Sequence, residues 1–129
     1  MAKLTGKVIE SKAAPAPIGP YSQAVEINGF VFCSGQIPLD PTTGDIVGAT
    51  VSEQAEQVMI NIKAVLGAAD LNLANVVKTT IYLTDMADFQ GVNEVYGKHM
   101  GATKPARSTV AVKELPRKVK VEIEVLAAR

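Results

Sequence analysis

From Lys118 to Val125 the sequence alternates without a break: Val119, Val121, Ile123 and Val125 take one parity, and Lys118, Lys120, Glu122 and Glu124 the other. A strand sends successive side chains to opposite faces, so this segment must bury one apolar face and leave a charged one. The same period runs through Val77, Thr79, Ile81 and Leu83, which alternate with Lys78, Thr80, Tyr82 and Thr84. Such strands need cover on one side, and helices can supply it. Ala55, Val58, Met59, Ile62, Val65, Leu66 and Ala69 fall on one helical face. Thr50 and Glu53 have capping-box spacing at its start, with Ser52 as a competing cap. A second helix is predicted from Asp85, burying Phe89, Val92, Tyr96 and Met100.

Upstream, the apolar runs Ala24–Ile27 and Phe30–Cys33 flank Asn28-Gly29, a pair suited to the two positive-φ positions of a tight hairpin. A further turn, Asp40 to Asp45, follows Gln36-Ile37-Pro38, so this opening reads as a β-meander. Ala13 to Pro20 holds three prolines and reads as an extended lead-in. Two final strands, near Arg107–Lys113 and Lys118–Leu126, are joined by a turn around Glu114-Leu115-Pro116-Arg117. The order ββ(β)-α-β-α-ββ predicts an α+β fold, one sheet with two helices on one face. A length of 129 residues suits a single domain, 1–129.

Basic and acidic residues balance at 13 each, which argues against broad contact with nucleic-acid phosphates and permits self-association. One cysteine, Cys33, and one histidine, His99, cannot make an internal disulfide or a four-ligand zinc site. Cys33 reads as a small core residue, and His99 as a cap or surface group. Gly35 lacks the glycine-rich context of a nucleotide loop. Met1 to Thr5 lacks a signal-peptide pattern, and no apolar run nears the roughly 20 residues that span a bilayer. A cytoplasmic protein without membrane contact is expected.

The last two strands pair across that turn, so Thr109 faces Glu122 and Arg107 faces Glu124; a two-residue shift puts Arg107 opposite Glu122, and either way Arg107 and Glu122 are direct or diagonal cross-strand neighbours. On that arrangement Arg107, Thr109, Glu122 and Glu124 share the helix-free face, while Ser108, Val110 and Val112 turn to the helices. Two readings stand. One is a solvated face with ion pairs worth about 0–1 kcal/mol. In the other, the planar fork of Arg107 captures a carboxylate and a neighbouring glutamate orients or deprotonates water.

Four segments bear on that choice: Ile18-Gly19-Pro20-Tyr21-Ser22-Gln23-Ala24, Ser34-Gly35-Gln36-Ile37-Pro38, Lys104-Pro105-Ala106-Arg107-Ser108-Thr109-Val110, and Leu115-Pro116 followed by Val121-Glu122-Ile123-Glu124. In order and spacing they resemble the reactive intermediate deaminase family (RidA, YjgF-type). The resemblance implies a chorismate-mutase-like fold with a mixed, mostly antiparallel sheet, and a homotrimer with active sites in the clefts between subunits. It implies hydrolysis of 2-iminopropanoate and 2-iminobutanoate to 2-oxo acids and ammonia, with no metal and no cofactor. By the same resemblance Arg107 grips the substrate carboxylate and Glu122 positions the attacking water. Tyr21 lines the pocket, Ser34 and Gly35 form the loop near the imine end, and Asn93 reaches the cleft from the second helix. Many members carry Cys where this chain has Thr109, whose hydroxyl can still hold a water. Lys118 and Lys120 are expected in interface ion pairs without a catalytic role. Two alternatives come from other classes: a non-catalytic trimeric module binding small carboxylates, and a ribonuclease or translation inhibitor. Neutral charge, few aromatics and the lack of a histidine pair weigh against the nuclease.

Overall fold

The alternating segments meet in one six-stranded sheet. The computed structural model describes residues 5–129; Met1–Leu4, on which most of the leader reading rests, lie outside them. The strands are β1 (Lys7–Ile9), β2 (Ala24–Ile27), β3 (Phe30–Cys33), β4 (Val76–Leu83), β5 (Ala106–Ala111) and β6 (Val121–Ala128), in the order β1-β2-β3-β6-β4-β5. Neighbours are antiparallel except β4 and β5, which are parallel and joined through helix α2 (Phe89–Met100). Helix α1 (Val51–Ala68) connects β3 to β4.

The hairpin expected of the last two strands does not form. β6 pairs with β3 on one side and β4 on the other, so β4 stands between β5 and β6. Burial explains the choice. Val121, Ile123, Val125 and Ala127 are all nearly inaccessible, so β6 belongs in the middle of a covered face, whereas β5 is mostly exposed and suits an edge. The connection between them is a detour: Arg117 and Lys118 take left-handed φ values of 55° and 58°, and the Lys120 amide donates to Gln54 Oε1 at 2.8 Å.

This topology reverses the faces of β5. Arg107 pairs with Thr79 and Thr109 with Ile81, which places both on the helix-covered side. Ser108 and Val110 take the open side, opposite the expectation that Val110 meets the helices; Val110 is 42% exposed.

Other elements follow the sequence pattern. Thr50 and Glu53 close a reciprocal capping box, leaving Ser52 inside α1. Asn28 and Gly29 take φ values of 52° and 81° in the β2–β3 hairpin. Asp85 caps a short 3-10 turn that precedes α2, burying Val92, Tyr96 and Met100. Val77 is turned outward because a register shift between Val76 and Lys78 gives its buried place to Val76. The meander gains β1 at its start, while its later limb is reduced to isolated bridges, Gln36 to Ile123 and Leu39 to Ile46.

The core fills the space between both helices and one sheet face. On the other face Val8, Ile27, Phe30 and Phe32, each more than a third exposed, form an apolar strip beside Val25 and Leu126. Buried carboxamides fasten the irregular segments. Gln23 accepts from the Ser11 amide and donates to the carbonyls of Ser11, Ala14 and Pro15. Asn61, wholly buried in α1, donates to the carbonyls of Ile37 and Leu39 at 3.3 and 3.0 Å. Asn61→Ala should therefore cost about 2 kcal/mol, leaving two carbonyls without a donor. Thr50→Ala should cost only about 1 kcal/mol, the value of a cap. Urea unfolding followed by circular dichroism will rank them, and equal or inverted losses would contradict this account of the loop.

Candidate functional site

Arg107 is placed by β5, and α2 supplies its surroundings. In α2, Phe89, Asn93 and Tyr96 follow at i, i+4 and i+7, so one helical face delivers all three to the edge of the sheet. The Arg107 guanidinium carbon lies 5.5 Å from the Phe89 ring centroid and 5.1 Å from that of Tyr96, within cation–π range. Its Nη1 donates to Asn93 Oδ1 at 2.7 Å. Nε and Nη2 have no partner among the described residues, which leaves two donors of the fork for an incoming carboxylate. Arg107 borders a cleft of about 480 Å³ lined also by Gly97, Met100, Gly101, Thr103 and Lys104. Thr109 lines a narrow hollow beside Asn93 and Arg107, and its Oγ1 is buried without a hydrogen-bond partner.

Glu122 belongs to a second cluster. It sits on the open face, paired with Tyr82. The loop after β3 passes so close that a Cβ at residue 35 would run into the Glu122 carboxylate and displace it. Ser34 Oγ donates to the Ser22 carbonyl at 2.6 Å, which ties this loop to the segment carrying Tyr21. Tyr21 is half exposed and shares a shallow hollow with Gly35 and Gln36. Burial, reinforced by the charge of Glu124, raises the Glu122 carboxyl above its ordinary range. Glu124 is engaged elsewhere, accepting from the Tyr82 hydroxyl at 2.9 Å.

The residues singled out in the sequence thus form two groups: Arg107, Asn93 and Thr109 at the helix-covered edge, and Glu122, Gly35, Ser34 and Tyr21 on the open side. Arg107 and Glu122 are not cross-strand neighbours. β4 lies between them, and they stand against Thr79 and Tyr82, three residues apart along it, so their backbones are about 14 Å apart and their side chains on opposite faces. Phe89 and Tyr96 were legible only as core; their spacing with Asn93 was the available signal. Among the described residues Lys118 and Lys120 make no ion pair with Glu122 or Glu124. Burial pushes the Cys33 thiol up to about 12, which makes it a poor nucleophile. His99 contacts Glu56 across the two helices. Among the described residues no three His, Cys, Asp or Glu side chains group closely enough to hold a metal ion, and no helix is long and apolar enough to cross a membrane.

The family model described as Endoribonuclease L-PSP matches residues 11–129. A RutC family protein of Pyrococcus horikoshii is 51% identical over 121 residues, 94% of this chain and 96% of the relative. The 2-iminobutanoate/2-iminopropanoate deaminase of Mus musculus is 45% identical over 129 residues, covering 100% of this chain and 96% of its own. The crystal structure of E. coli TdcF with bound serine superposes with a TM-score of 0.90 at 46% identity, covering 95% of this chain and 98% of that one.

The raised Glu122 carboxyl has a signed consequence for stability. The folded chain holds this proton more tightly than the unfolded chain, so the wild type loses stability as pH climbs from the ordinary carboxylate range through the raised value. Glu122→Gln carries no such charge. The variant should match the wild type near about pH 3 and become the more stable of the two toward neutrality, read as urea midpoints. A pH-independent difference would mean that the carboxylate is fully solvated.

Proposed function

The chain belongs to the RidA/YjgF family, and from that premise we propose that it is an imine deaminase acting on 2-imino acids such as 2-iminopropanoate and 2-iminobutanoate. The observation that carries this reading is the Arg107 fork, which lies over Phe89 and Tyr96, is tethered by Asn93, keeps two nitrogens unpaired among the described residues and belongs to a residue lining the cleft. Its planar, permanently charged fork matches a carboxylate in geometry and charge. The mouse relative's name and the serine bound to TdcF support the same ligand class.

Within one chain Glu122 cannot reach a substrate held by Arg107. A second copy can complete the site, and the exposed apolar strip beside Phe30 and Phe32 gives copies a surface to share. We infer a homotrimer of chorismate-mutase-like protomers in which Arg107 of one copy faces Tyr21, Ser34, Gly35 and Glu122 of the next. The chemistry asked of the site is modest, because a protonated imine is already electrophilic at C2. Arg107 fixes the carboxylate, and Glu122, as its carboxylate, takes a proton from water while the oxygen adds to C2. The proton passes to the nitrogen of the tetrahedral adduct. Ammonia then leaves as the C2–N bond breaks and the hydroxyl collapses to the 2-oxo group, its proton passing to solvent. The raised carboxyl makes Glu122 a stronger base than an exposed glutamate. Thr109 Oγ1, buried and unpaired, can hold the substrate or a water once the cleft is filled.

The test is a trapping assay. Threonine dehydratase generates 2-iminobutanoate, semicarbazide captures it, and an active deaminase suppresses the semicarbazone. Wild-type protein should suppress it, and Arg107→Ala should lose about 100-fold in kcat/KM, with Arg107→Lys nearly as poor. Mixing Arg107→Ala with Glu122→Gln after reversible dissociation should restore about a quarter of wild-type activity, because a shared site regains both groups in that share of random assemblies. No recovery from mixed, reassembled protein would place both residues in one copy's site. Failure of the wild type to suppress the semicarbazone would favour a carboxylate-binding module, and RNA cleavage that persists in Arg107→Ala would favour a nuclease.

A further inference from the structure

We propose that Tyr96 is a positioning residue for Arg107, locked in place by a buried hydrogen bond to Thr79. The proposal rests on the carboxylate-anchor reading above and adds what aims the anchor. In the β4–β5 register Thr79 lies directly opposite Arg107, so the two side chains leave neighbouring strands on the same, helix-covered face. Thr79 is 1% exposed on a face otherwise built from Ile81, Leu83 and Ile123, where an unpaired hydroxyl is costly. Its partner is the Tyr96 hydroxyl, 2.8 Å away on a residue 7% exposed. The ring that carries this hydroxyl is the one nearest the guanidinium of Arg107, at 5.1 Å.

The three side chains form a relay of constraints. Thr79 fixes the hydroxyl end of Tyr96, the ring presents a fixed face, and the face sets the plane of the guanidinium. Asn93 tethers one nitrogen at 2.7 Å, but a single hydrogen bond leaves the plane free to rotate. Arg107 itself is exposed, so without the rings its long side chain would sample many rotamers and lose orientation before meeting a carboxylate. A tyrosine serving only as core filling would have no coupling to Arg107.

The first arm of the test observes Arg107 directly, through its Nε–H resonance in nitrogen-15-labelled protein. Ring currents from Tyr96 and Phe89 should displace this resonance in the wild type. Tyr96→Leu should move it furthest toward the position of an exposed arginine, leaving only the Phe89 ring beside it. Thr79→Val and Tyr96→Phe, which keep core volume and cut the same hydrogen bond, should each move it partly and to a similar extent. An unmoved resonance in all three folded variants overturns the proposal. If Tyr96→Leu does not fold, the two conservative variants decide. The second arm measures affinity for 2-oxobutanoate beside its uncharged amide. Tyr96→Leu should weaken the acid about tenfold, and the conservative variants about threefold, while the amide is unaffected and KM rises with kcat little changed. Equal losses for acid and amide would mean that the cleft has collapsed, and would overturn the positioning role. If 2-oxobutanoate binds neither wild type nor variants, the carboxylate-anchor reading falls, and the resonance arm still decides whether Tyr96 aims Arg107.

Discussion

Two helices can cover only one face of a six-stranded sheet, and the candidate chemistry is arranged around that imbalance. On the covered face burial is deep: Thr79 meets its hydrogen-bonding need through Tyr96, while Thr109 Oγ1 is left without a partner among the described residues. On the open face charges and aromatics stand side by side, with Glu122 and Glu124 a few residues from Leu126, Phe30 and Phe32. Arg107 sits where the two regimes meet, at the β5 edge, with apolar rings beneath it and the cleft above. A cation held this way is both oriented by the rings and accessible, which suits it to a bidentate hydrogen bond with a carboxylate.

Much of the fold was legible because its signals are local. The helical face from Ala55 to Ala69, the Thr50–Glu53 capping box and the Asn28-Gly29 hairpin each depend on residues close in sequence, and each appears as read. Which strands lie side by side is not local. The turn-like residues Glu114 to Arg117 suggested a hairpin, but the demand of Val121, Ile123 and Val125 for burial outweighed the convenience of a short connection. The faces of β5 were ambiguous for a related reason. Arg107 and Thr109 on one side, Ser108 and Val110 on the other, are nearly matched in polarity, so parity carried little information and a wrong neighbour reversed it. The individual site residues came through motif resemblance. The ring platform did not, since Phe89 and Tyr96 at helical spacing look like core from sequence alone.

Precision in the second cluster comes from behind it. Gly35 can pass against Glu122 only if the loop after β3 keeps its path, and Asn61 holds the next stretch of that loop through two carbonyls. Gln23 does the same for the proline-rich lead-in that delivers Tyr21. These neutral amides tie irregular backbone to regular elements without the desolvation cost of buried ions. The loops around the site are therefore anchored parts of the fold, although they have no ladder of their own.

The position of β6 bears on how the chain comes into being. It follows the other five strands in sequence, yet it joins β1-β2-β3 to β4-β5. Without residues 121–128 in place, the edges of β3 and β4 that face each other lack their partner. Closure then depends on contacts distant in sequence, which form slowly and all at once. The sheet therefore closes only when one late segment seats itself between two edges that would otherwise stand open.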